Sequence, residues 1–88
     1  MKPKGKKVEY MYFKEITLSK LDLLKTGKIE KILHKKESKN RLLDLGFVPG
    51  VKVKTVLLDF SGNLKAFEIR NTVIALRDSD SEKIIVKI

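Results

Sequence analysis

The sequence predicts a mainly β domain: a small barrel, or a strongly curled sheet, of about five short antiparallel strands with one or two short helices. Three observations carry that expectation. After residue 50 the hydropathy period becomes two, with Val51, Val53, Thr55 and Leu57 on one face and Lys52 and Lys54 on the other. Clusters of Gly, Asn, Asp and Ser then punctuate the chain at short intervals up to its last apolar run. The chain has 88 residues, enough for one domain with a small core. A sheet that curls on itself leaves few open edges to protect.

Residues 1–16 read as a basic N-terminal extension, and 17–88 as the folded domain. Residues 1–8 are polar, basic and without period, the pattern of a frayed tail. Tyr10, Tyr12 and Phe13 come next as an aromatic cluster. Such a cluster covers an exposed core edge, touches a membrane surface or stacks on bases.

The stretch 17–27, "TLSKLDLLKTG", offers Thr17 or Ser19 as an N-cap and Gly27 as a stop, with Leu18, Leu21 and Leu23 or Leu24 at near-helical spacing. It predicts a short helix or a single helical turn. Residues 28–36 read as a strand. Ser38 is placed to cap a second helix running to Leu45. Gly46 sits where a helix ends on a left-handed residue, and Phe47 falls where it folds back on Leu42. Pro49 forbids continuation, and Pro49-Gly50 suits a turn.

The alternating strand from Val51 runs to a loop at 59–63. Strands at 64–70 and 72–77 come after it, joined at Arg70-Asn71, where Asn71 tolerates the left-handed conformation of a tight hairpin. Residues 78–83 read as a turn or one helical turn, and "IIVKI" as a last strand.

Composition bounds the function. There is no cysteine, so disulfides and thiolate metal sites are excluded. No apolar run approaches a membrane span, and no apolar segment succeeds the basic start, so the reading is cytoplasmic. The net charge of +9 favours acidic partners. It is concentrated in the first half: up to Arg41 there are 13 basic and 5 acidic residues, and afterwards 7 and 6. Lysine outnumbers arginine 17 to 3, which weakens a nucleic-acid reading, because base and phosphate recognition leans on the arginine fork.

No catalytic set is present. His34 is the one histidine, and a lone histidine is more often packed or exposed than a ligand. Asp78, Asp80 and Glu82 recur at every second position, a weak candidate for a hard-cation site and more simply a solvated turn. No phosphate-binding glycine loop and no nucleophile elbow occurs. The chain reads as a binding or regulatory module that needs no cofactor, not an enzyme.

"NRLLDLGFVPGVKVKTV" at 40–56, with "EIRNTVIALRDSDSEKIIVKI" at 68–88, resembles the FeoA family of the bacterial ferrous iron uptake system. The resemblance covers about 17–88. It implies an SH3-like small barrel and a non-enzymatic accessory that acts through the FeoB-type membrane GTPase transporter. Leu42, Leu43, Gly46, Pro49 and Gly50 match the motif and read as structural. Arg41, Asp44 and Phe47 become the candidates for a partner surface. The loop at 59–63 lacks the proline often found there in the family, and Asn71 stands where glycine is common. The extension 1–16 lies outside the resemblance and suggests contact with an acidic membrane surface. The alternative reading is a nucleic-acid-binding barrel that uses the basic first half and the aromatic cluster.

Overall fold

The computed structural model describes residues 14–59, 61 and 63–88. The expected aromatic cluster of Tyr10, Tyr12 and Phe13 lies outside the described residues. The described chain forms one antiparallel sheet of six strands: β1 (Glu15–Thr17), β2 (Thr26–Ile32), β3 (Lys52–Leu58), β4 (Leu64–Ile69), β5 (Thr72–Arg77) and β6 (Ile84–Lys87). Their order across the sheet is β1-β6-β2-β3-β4-β5. A 3-10 turn at Leu18–Lys20, helix α1 (Lys36–Leu45) and the single helical turn α2 (Asp78–Ser81) complete the fold. β1 begins at Glu15 and pairs with β6, with Ile16 opposite Val86.

The sheet curls because its far ends share one core. Leu76 of β5, Phe67 and Ile69 of β4, Val53 of β3, Ile29 and Ile32 of β2, and Ile84 and Val86 of β6 are all buried in a single cluster with Leu18, Leu21, Leu42 and Phe47. α2 connects β5 directly to β6, four places away in the sheet order. Neighbouring strands lie about 4.8 Å apart, so only a curled sheet brings those strands within reach of so short a link.

The leucine-rich stretch 17–27 meets expectation in part. It forms the single helical turn, a 3-10 turn at Leu18–Lys20, but Gly27 lies inside β2 instead of ending a helix. Its leucines do not share a buried face: Leu18 and Leu21 are in the core, while Leu23 and Leu24 are exposed. Leu24 adopts a positive φ of 64°, and its N–H donates to the Thr55 carbonyl at 2.6 Å. The Thr55 N–H in turn donates to the Lys25 carbonyl at 3.2 Å. Pairing with β3 therefore wins over helical propensity, which is a weak term at this length.

α1 begins at Lys36, two residues before the expected cap at Ser38. Lys35 is its N-cap and makes no side-chain cap bond. Its end matches expectation. Gly46 has φ 112°, its N–H donates to the Leu43 carbonyl at 3.0 Å, and the Phe47 N–H donates to the Leu42 carbonyl at 3.0 Å. This is the paired-bond helix stop that needs a left-handed residue. Phe47 and Leu42 then enter the same core cluster.

β3 keeps the expected alternation only as far as Thr55. Val53 and Thr55 face the core, but the register with β4 shifts between Thr55 and Leu57, and Leu57 is exposed. The extra residue of a bulge reverses the face of the residues beyond it. Thr55 is fully buried, and its hydroxyl donates to the Leu21 carbonyl at 3.0 Å. The β4–β5 hairpin turns through Arg70 (φ 50°) and Asn71 (φ 66°), two left-handed residues as a two-residue loop of this kind requires.

Two substitutions probe the stop and the buried hydroxyl. Gly46→Ala places a side chain at φ 112°, where the nearest atom to its Cβ is Ile69 Cγ2 at 3.7 Å, so backbone strain and not a clash sets its effect. Chemical denaturation should show a loss of about 1–3 kcal/mol. Thr55→Val keeps the shape but removes the donor to Leu21, and should cost roughly 1–3 kcal/mol in the same measurement. An unchanged midpoint would show that the buried hydroxyl is dispensable.

Candidate functional site

α1 lies between β2 and β3 in sequence and seats on the core through Leu42 and the half-buried Leu43. Its opposite side carries Arg41 and Asp44, both exposed. Leu45 beside them is 44% exposed. Arg41 and Asp44 are thus free to meet another surface. Phe47 is not: it is 0% exposed and among the largest fully buried side chains. The structure corrects the expectation that Phe47 contributes to a partner surface, because the helix stop that positions it also points it inward.

The acidic positions of α2 do not converge. The Lys65 ammonium donates to Asp78 Oδ1 at 2.7 Å, tying β4 to the start of α2. Asp80 Oδ1 faces His34 Nε2 at 3.8 Å, and Glu82 is exposed. Among the described residues no group of three or more His, Asp or Glu side chains is placed to hold a metal ion. The His34 side chain is 5% exposed, and neither ring nitrogen has a hydrogen-bond partner among the described residues. It is a packed residue, not a surface one.

Sequence reasoning missed a groove over the first residues of β2, where the start of β3 and the end of β6 flank Lys28. Its walls include Thr26, Lys28, Glu30, Pro49, Lys52 and Lys87, and its volume is about 530 Å³. Gly50 and Ile88 add apolar surface. The Pro49-Gly50 turn, read from the sequence as structural, thus also forms one wall. A second, smaller groove shares Thr26 and Lys52 and continues to Arg70 and Asn71. The one available sequence signal was the outward alternation of Lys52 and Lys54; their neighbours on β2 and β6 come from distant positions.

Six antiparallel strands curled about one core, with a helix carried between β2 and β3, define a small SH3-like domain. The chain belongs to the FeoA family: the family model for the FeoA domain matches residues 16–88. A solved FeoA from Stenotrophomonas maltophilia is 32% identical, with a TM-score of 0.69 over 81% of this chain and 88% of that one. It is a zinc complex, described as a prokaryotic SH3-domain protein possibly acting as a ferrous iron transport activating factor. The solution structure of the Chlorobium tepidum FeoA protein is 25% identical, with a TM-score of 0.78 over 83% of this chain and 70% of that one. A manganese-dependent transcriptional repressor shares the fold at 12% identity, with a TM-score of 0.77 over 85% of this chain and 42% of that one. No curated protein matches the chain.

The burial of Phe47 separates core from surface in this motif. Phe47→Ala should lower stability by about 3–5 kcal/mol, whereas Arg41→Glu should stay within about 0.5 kcal/mol of the parent, both read by chemical denaturation. Comparable losses would show that Arg41 has a structural role the exposed helix face does not reveal.

Proposed function

We propose that the protein is a non-enzymatic accessory of bacterial ferrous iron uptake that works in the cytoplasm by direct contact with a FeoB-type membrane GTPase transporter. Membership of the FeoA family over residues 16–88 carries the reading. The description of the Stenotrophomonas maltophilia relative as a possible transport activating factor supports it. Among the described residues no helix is long and apolar enough to cross a membrane, which is consistent with a protein that reaches the transporter from outside the bilayer. The exposed side of α1, with Arg41 and Asp44, is the contact face of this proposal. The basic residues ahead of β1, which begins at Glu15, supply a second contact, to an anionic membrane surface near the transporter, where each lysine contributes about 1 kcal/mol.

A titration of isotope-labelled protein with the cytosolic GTPase region of the transporter tests the proposal. Amide shifts should cluster on Arg41 to Leu45, and reversing both charges, Arg41→Glu with Asp44→Lys, should weaken binding roughly threefold to tenfold. Full affinity in that folded double variant would remove α1 from the interface. No binding by the parent, with or without anionic vesicles, would overturn the accessory reading.

A further inference from the structure

On the outer face of the sheet three lysines stand in one row. Lys28 of β2 is the register partner of Lys52 on β3 and of Lys87 on β6. Residues so paired have Cα atoms about 4.5–5.5 Å apart, and like charges directly opposite oppose folding. Glu30 offsets one of the three, with Lys87 Nζ at 3.3 Å from its carboxylate, and Glu15 is the register partner of Lys87 on β1. Lys28 and Lys52 are exposed, and neither makes a salt bridge or side-chain hydrogen bond among the described residues. Both line the groove over the start of β2.

The adjoining smaller groove continues the charge. Lys54 and Arg70 line it with Lys52, and Glu68, the register partner of Lys54, is the carboxylate beside them. The two grooves together present five cationic side chains against two side-chain carboxylates and the terminal carboxylate of Ile88, an excess of two positive charges.

We propose that this trough is a docking site for an acidic linear segment of a protein partner, its carboxylates on Lys28 and Lys52 and an apolar side chain against the Pro49, Gly50 and Ile88 end. Charge complementarity selects an anion. The concave, partly apolar groove selects a peptide over a flat membrane face. Among the described residues no aromatic side chain lines either groove, so they offer no stacking platform of the kind a single-stranded nucleic acid uses. The site is defined by its own charges and shape, whichever protein carries the segment.

The test uses the full chain and a blocked peptide alternating glutamate and leucine, monitored by amide shifts and by calorimetry. The parent should bind with shifts at Lys28, Gly50 and Lys52. Lys28→Glu with Lys52→Glu should weaken binding by roughly tenfold or more. Lys35→Glu with Lys36→Glu makes the same charge reversal at two exposed lysines outside the trough and should leave affinity within about twofold. Should charge reversal disturb the fold, Lys28→Gln with Lys52→Gln gives the same readout with a smaller loss. Equal losses in the two glutamate variants would mean bulk attraction and would overturn the proposal. So would shifts away from the trough, or no binding by the parent. An oligonucleotide or phosphatidylserine vesicles that bind the trough more tightly than the peptide would overturn it in favour of a phosphate ligand.

Discussion

The helix stop at Gly46–Phe47 is the constraint on which the rest of the barrel depends. Its two backbone bonds, to Leu43 and Leu42, end α1 and drop Phe47 into the core in the same step. The chain leaves through Pro49-Gly50. There the Gly50 N–H donates to the Ile29 carbonyl at 2.7 Å, and the Ile29 N–H donates to the Val51 carbonyl at 2.9 Å. Those bonds begin the β2–β3 ladder. A helix that overran by one residue would shift that ladder, and a one-residue shift exchanges the two faces of a strand. Lys52 and Lys54 would then turn inward, and Val53 and Thr55 would turn to water. Local backbone geometry at one glycine thus sets which side chains form the core and which form the surface.

The same register that buries the core creates the electrostatic cost on the outer face. Aligning Val53 with Gly27 also aligns Lys52 with Lys28. A chain this short has a small core and a small margin of stability, so an unrelieved row of like charges is not a neutral feature. Glu30 relieves it at Lys87, but not at Lys28 or Lys52. The core term outweighs the repulsion because each buried aliphatic side chain contributes about 1.5–3 kcal/mol, while a poor cross-strand pair costs under about 1 kcal/mol.

Much of the fold was legible in the sequence because its signals were local. The Gly46 stop, the outward lysines of β3, the Asn71 hairpin and the bounds of β5 each depend on residues within a few positions of one another. The expectations that failed depended on distant partners. Nothing within 17–27 shows that Leu24 and Lys25 will bond to Thr55, so Gly27 read as the stop of a helical stretch and not as part of a strand. Nothing within 51–58 shows the bulge that turns Leu57 outward, because a bulge is a property of two strands. The site was less legible for the same reason. Arg41 and Asp44 stood out as the polar members of the motif, but Phe47 carried two signals, an apolar anchor for the stop and a candidate for contact, and only its zero exposure decides between them.

The trough was invisible in the sequence for a further reason. Lys28, Lys52 and Lys87 are ordinary lysines in a lysine-rich chain, and charge counting assigns the basic character to the first half. Folding redistributes it. Two of the three lysines in the row come from the later half, whose own balance is nearly neutral, and they meet Lys28 only because β2 lies between β3 and β6. Net charge by segment describes long-range attraction to anions, whereas a docking surface is defined by which charges are neighbours after strand pairing. The order β6-β2-β3 is therefore what turns a diffuse excess of lysine into a localised one, beside a wall made by the Pro49-Gly50 turn that the helix stop requires.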